Sequence, residues 1–125
     1  MSRKISVIGA TLGGTYYSDT SITTISLAGN TNNLNVGLEG FSLVEISSTG
    51  NYNLTGIVVP DNTKAWELKL FNKGTNNIII KNNDAGSSAE DRFLNGMDIT
   101  CQSQEGLILI YRPSQLRWSC PGKNI

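Results

Sequence analysis

The chain has 125 residues, ten basic and ten acidic side chains, and a formal net charge of zero. That length is one domain with a core of its own. Balanced charge leaves no long-range field to draw a polyanion, so neither nucleic acid nor an anionic membrane is expected as partner. With no histidine, Ser-His-Asp and Cys-His arrangements are excluded and the commonest metal ligand is missing.

Taken in chain order, Met1-Ser2-Arg3-Lys4 is a basic start, and Lys4–Ile8 alternates as a short strand. Ile5–Leu12 is too short and too interrupted to be a signal peptide, and no run reaches the length of a membrane span. Synthesis in a cytoplasm is the expectation. Gly9–Gly14 is glycine-rich but lacks the Gly-Lys-Ser/Thr ending of a phosphate loop, so it reads as a flexible link. Residues 1–20 form an N-terminal arm, and 21–125 one β domain.

Ile22–Leu27, Leu34–Leu38, Phe41–Ile46 and Tyr52–Val59 alternate apolar and polar residues and predict strands, with Gly56 as a bulge in the last. Pro60–Thr63 is a turn. Trp66, Leu68 and Leu70 alternate with Glu67 and Lys69, and Ile78-Ile79-Ile80 is a β-branched run. The Asn72–Asn77 segment between them predicts a β-hairpin. Ser87-Ser88-Ala89-Glu90 has the form of a capping box and predicts one helical turn at about 88–94. Met97–Cys101, Leu107–Arg112 and Arg117–Cys120 complete the strands, with Pro121-Gly122 ending the last. The whole predicts an all-β fold, an antiparallel β-sandwich or jelly roll.

Ile78–Ile80 and Leu107–Tyr111 are apolar on both faces. A two-sheet sandwich buries only one face of a strand, so the other needs a cover. A homo-oligomer interface through Ile78, Ile79, Ile80, Leu107, Leu109 and Tyr111 supplies one.

Other groupings carry less chemistry. Cys101 and Cys120, the two cysteines, are either buried thiols or a bridge between adjacent strands. Asp84, Glu90 and Asp91 match no calcium-loop spacing, so no metal or cofactor is assigned. Glu45 and Glu67 both occupy polar positions of strand alternation and do not read as a glycosidase pair. Arg92 is either a surface arginine over an aromatic ring or a structural one that ties loop carbonyls or a neighbouring subunit. Tyr16, Tyr17 and Tyr52 are candidates for stacking on a sugar, whereas Trp118 reads as core.

Several segments, taken together, suggest a family. They are Leu54-Thr55-Gly56-Ile57, Trp66 to Gly74, Asn77 to Asn83, Ser87 and Ser88 leading to Asp91-Arg92-Phe93, Leu107 to Tyr111, and Arg117-Trp118. Their order resembles a β module of tailed-bacteriophage virion proteins: tail fibres, head fibres and receptor-binding tips. The resemblance runs from Leu54 to Trp118, and the first fifty residues carry none of it. It implies a β-sandwich that assembles as a trimer, has no enzymatic activity, and uses Arg92 and Phe93 as structural residues of a turn. No fibre shaft accompanies it, so the expected role is a short head fibre, a capsid decoration protein or a tail adaptor. Such a protein would reside in the virion and attach to other capsid or tail proteins, with the arm as anchor. The alternative is a carbohydrate-binding module that recognises a host-surface glycan.

Overall fold

A computed structural model describes residues 22–38 and 41–124. The expectations for Lys4–Ile8, the glycine-rich link, Tyr16, Tyr17 and the arm lie outside these residues. The described chain is all-β, built from two sheets and one 3-10 turn, η1 (Ala89–Asp91).

The larger sheet contains β1 (Ile22–Leu27), β2 (Phe41–Ser48), β4 (Trp66–Asn72), β7 (Gly106–Arg112) and β8 (Arg117–Asn124), in the order β1-β2-β4-β7-β8. The smaller holds β3 (Tyr52–Leu54), β5 (Ile78–Ile80) and β6 (Ile99–Cys101), in the order β3-β5-β6. Period-two alternation explains how these strands lie. In β4, Leu68, Leu70 and Asn72 are buried while Lys69 is exposed.

The pairing corrects the antiparallel, jelly-roll expectation. β1 runs parallel to β2, β2 parallel to β4, and β3 parallel to β5. Ile25 lies beside Ile46 and Ile46 beside Asn72, so the chain returns to the same sheet after steps of 21 and 26 residues. Between visits it crosses to the other side, where Thr31 bridges Leu54 and Leu34 bridges Ile57, again in parallel. The first half is therefore a stack of coils, each contributing to both sides. Antiparallel pairing begins only at β4–β7, β7–β8 and β5–β6.

The predicted hairpin is corrected for the same reason. β4 and β5 do not pair with each other, because the Asn72–Asn77 corner carries the chain from one sheet to the other. At that corner the buried Asn72 donates from Nδ2 to the carbonyls of Asn76 (2.8 Å) and Cys101 (3.0 Å), and its Oδ1 accepts the Gly74 N–H. Leu34–Leu38 is not a strand, although Val36 and Leu38 are buried. The Tyr52–Val59 strand stops at Leu54, and β8 continues through Pro121 and Gly122 to Asn124.

The capping box is absent as well. Ser88 makes no side-chain cap bond. The Ser87 hydroxyl is occupied instead, 2.7 Å from the Thr55 hydroxyl and accepting the Asn33 N–H at 2.9 Å.

Both sheets feed one apolar cluster. Leu27, Val44, Ile46, Leu68, Leu70, Leu107 and Leu109 come from the larger sheet, and Leu54, Ile78, Ile80 and Cys101 from the smaller. Each large aliphatic side chain buried this way contributes about 1.5–3 kcal/mol relative to exposure. Cys101 is buried in this cluster, and Cys120 is half-buried against it.

Gly56 fits where nothing larger would. A Cβ there would lie 2.5 Å from Ser87 Oγ and 2.6 Å from the Asp91 carbonyl. One of these atoms belongs to the backbone, so a side-chain adjustment alone cannot clear the contact. Gly56→Ala is expected to cost about 1–3 kcal/mol, as overpacking does. Urea denaturation of the two proteins measures it, and an unchanged midpoint would refute this account of the close approach.

Candidate functional site

The segment Asp91–Leu94 is a seam that joins the last strand to the coils. Three carbonyls in succession are used along it. The Asp91 carbonyl accepts the Ile57 N–H (2.9 Å), the Arg92 carbonyl the Trp118 N–H (2.9 Å), and the Phe93 carbonyl the Asn83 N–H (2.7 Å). Leu94 N–H donates back to the Trp118 carbonyl at 2.7 Å. The Trp118 indole is fully buried and donates to the Ile57 carbonyl at 2.9 Å. Its ring meets Tyr111 edge to face, with centroids 5.2 Å apart and planes at 73°.

Both structural-turn residues lie on this seam. Arg92 donates from Nε to the Ser87 carbonyl at 2.9 Å, a bond to a loop carbonyl. Phe93 is fully buried and bridges Asn82 on one side and Trp118 on the other.

The six residues expected at an oligomer interface divide by face. Ile78, Ile80, Leu107, Leu109 and Tyr111 are all buried at 1% exposure or less within this one chain, so they form its core and offer no surface. Ile79 points the other way and is half-buried. On β7 the outward residues are Ile108, half-buried, and Ile110, 36% exposed. Strand alternation showed that both faces are apolar. Which face turns inward depends on the opposite sheet, and residues spaced by two carry no label for that.

Tyr52 is half-buried and its hydroxyl lies 3.0 Å from the Thr49 hydroxyl, so its polar end is already engaged. Register places Glu67 beside Phe41, four residues along β2 from Glu45. At about 3.3 Å per residue the two carboxylates sit roughly 13 Å apart along the sheet, beyond the span of a glycosidase pair. Among the described residues no group of three or more acidic or cysteine side chains is placed to hold a metal ion. Asp84 instead accepts the Gly86 N–H at 2.8 Å, which is a turn contact.

Sequence reasoning overlooked one feature, the polar side of the seam. Asp91 is buried, and its Oδ1 accepts the Val59 N–H at 3.2 Å. Burial raises its pKa above the ordinary 3.8; the Val59 hydrogen bond opposes this and Glu90 adds to it. The Tyr111 hydroxyl is buried without a hydrogen-bond partner, and its pKa is raised by burial first, then by the negative charges of Asp91 and Glu90. The signal available in the sequence was the Asp91-Arg92-Phe93 order, which gave the turn and not the burial of its acid.

No protein-family model, curated protein or solved structure matches the chain.

A carboxyl whose pKa is raised on folding binds its proton more tightly in the folded state. Its contribution therefore falls as pH rises from 3.8 through the raised value, and stays low above it. Asp98 has the opposite sign, because the Lys81 hydrogen bond lowers its pKa, so the pH profile of the wild type alone mixes the two. The comparison to make is Asp91→Asn against wild type. The amide keeps an acceptor for Val59 and carries no charge. The variant is expected to be the more stable at pH 7, with its advantage disappearing below about pH 3.8. Thermal melts across pH check this, and an advantage that persists in acid would refute it.

Proposed function

We propose that this protein is a non-enzymatic structural component of a bacteriophage virion: a short head fibre, a capsid decoration protein or a tail adaptor. In this reading its two sheets act as the layers of a sandwich module, and three copies form the working unit. The observation that carries it is the outward apolar pair on the interior strand β7, Ile108 and Ile110, on a chain whose inward positions already fill its own core. A contiguous apolar patch on an outward sheet face marks a surface of interaction.

The ordered segments from Leu54 to Trp118 support the same reading. Their Arg92 and Phe93 serve here as ties of the fold. The basic, glycine-jointed arm, Met1–Thr20, is the proposed anchor to the particle.

Light scattering over a dilution series tests the assembly. Three chains of 13.5 kDa give an expected mass of about 40 kDa. A monomer at every concentration would overturn the trimer. Deleting residues 1–15 tests the anchor: the truncated protein is expected to fold and assemble but to bind no particles. Undiminished attachment would place the anchor elsewhere in the chain.

A further inference from the structure

We propose that Asn95-Gly96 is a self-modifying site, where the folded chain converts its own asparagine to an aspartyl or isoaspartyl residue. The site lies within one chain and is the same in a monomer or a trimer.

The chemistry starts from the dipeptide. A backbone nitrogen can attack the side-chain carbon of the asparagine before it, and a side chain on the attacking residue hinders that approach. Of the fourteen asparagines in the chain, only Asn95 is followed by glycine. Gly96 is exposed, sits at φ 80°, and has nothing within 4 Å of where a Cβ would stand. It therefore has the space and the backbone freedom that ring closure needs.

The fold prepares one half of the reaction and restrains the other. Asn95 Oδ1 accepts the Cys120 N–H at 2.7 Å, which places a donor on the oxygen where negative charge develops as Cγ becomes tetrahedral. Asn95 Nδ2 is buried with no hydrogen-bond partner among the described residues. Its departure breaks no hydrogen bond and removes the cost of an unpaired buried donor. The nucleophile, by contrast, is held. Asn82 Oδ1 accepts the Gly96 N–H at 3.0 Å and the Asn95 N–H at 2.8 Å. Asn82 is the brake, and the reaction waits for its bond to Gly96 to open.

In the first step the bond from the Gly96 nitrogen to Asn95 Cγ forms and the Cγ–Nδ2 bond breaks. The Gly96 proton leaves with Nδ2 as ammonia, and a succinimide remains. Water then opens the ring. Attack at Cγ gives aspartate, and attack at the Asn95 main-chain carbonyl gives isoaspartate. Either product adds one negative charge. Isoaspartate also adds a carbon to the main chain, so the turn no longer fits Asn82 and the Cys120 N–H of β8 together.

Peptide mapping by mass spectrometry, with fragmentation that separates aspartate from isoaspartate, tests this on the full-length folded protein held in mildly alkaline buffer. Asn95 is expected to convert before any other asparagine. Asn82→Ala is expected to convert roughly fivefold faster, the change in open population that losing one net hydrogen bond gives. Leu27→Ala weakens the core at β1, the edge of the larger sheet remote from β8, and is expected to leave the rate at Asn95 unchanged. An intact Asn95 in the native wild type, after the urea-unfolded chain has converted, would overturn the site. Equal acceleration in Asn82→Ala and Leu27→Ala would overturn it too, because unfolding and not the turn would then set the rate. If Asn82→Ala fails to fold, the comparison of native with unfolded wild type decides.

Discussion

The architecture depends on what happens to backbone hydrogen bonds at the corners. Each time the chain leaves one sheet for the other, its ladder is interrupted and the peptide groups there need new partners. Asparagine side chains supply many of them. Asn30 Oδ1 accepts the Asn53 N–H, and Asn51 Oδ1 accepts the Asn77 N–H, across separations of 23 and 26 residues. These are the same steps by which the neighbouring backbone pairs, so the amide stands in for the missing carbonyl of the next coil. Asn76 does the reverse, donating to the Ser48 carbonyl. Asn82 takes two N–H groups, those of Asn95 and Gly96. An aspartate could accept at such places but would bring repelling charges close together in a stack. Asparagine both accepts and donates without charge. The low charge of the chain, 16% of residues, fits this use.

The corners hold the coils in register, and the seam closes them. Residues Asp91–Leu94 are not a strand, yet the Asp91, Arg92 and Phe93 carbonyls and the Leu94 N–H are all engaged with distant parts of the chain. The buried pair of Trp118 and Tyr111 fills the space beneath. A single residue such as Gly56 is then constrained from two sides at once, by Ser87 from the loop and by Asp91 from the turn.

The existence of most strands was legible because alternation is local. Ile22–Leu27 matches β1 residue for residue, and the runs from Trp66 and Ile78 match β4 and β5. Their partners were not legible. A hairpin turn and a coil corner both need residues that tolerate tight backbone geometry, so Asn72–Asn77 fits either. The parallel steps of 21 and 26 residues leave no composition signal at their ends. Leu34–Leu38 shows the opposite error. Its alternation is real and buries Val36 and Leu38, but the positive φ of Gly37 (67°) bends it away from a continuous ladder. For the candidate site, the order Asp91-Arg92-Phe93 pointed to the turn, whereas the interface set was drawn mostly from inward residues, because period-two alternation does not say which apolar face meets the opposite sheet.

The indole of Trp118 reaches a carbonyl 61 residues earlier, at Ile57. The coils can pair among themselves over two dozen residues or so, yet the wedge that closes them lies in β8, the last described strand. Until Arg117–Asn124 is made, the Ile57 carbonyl and the buried flank of β7 have no cover. Contacts of this separation form slowly, because the loop between them must be closed first.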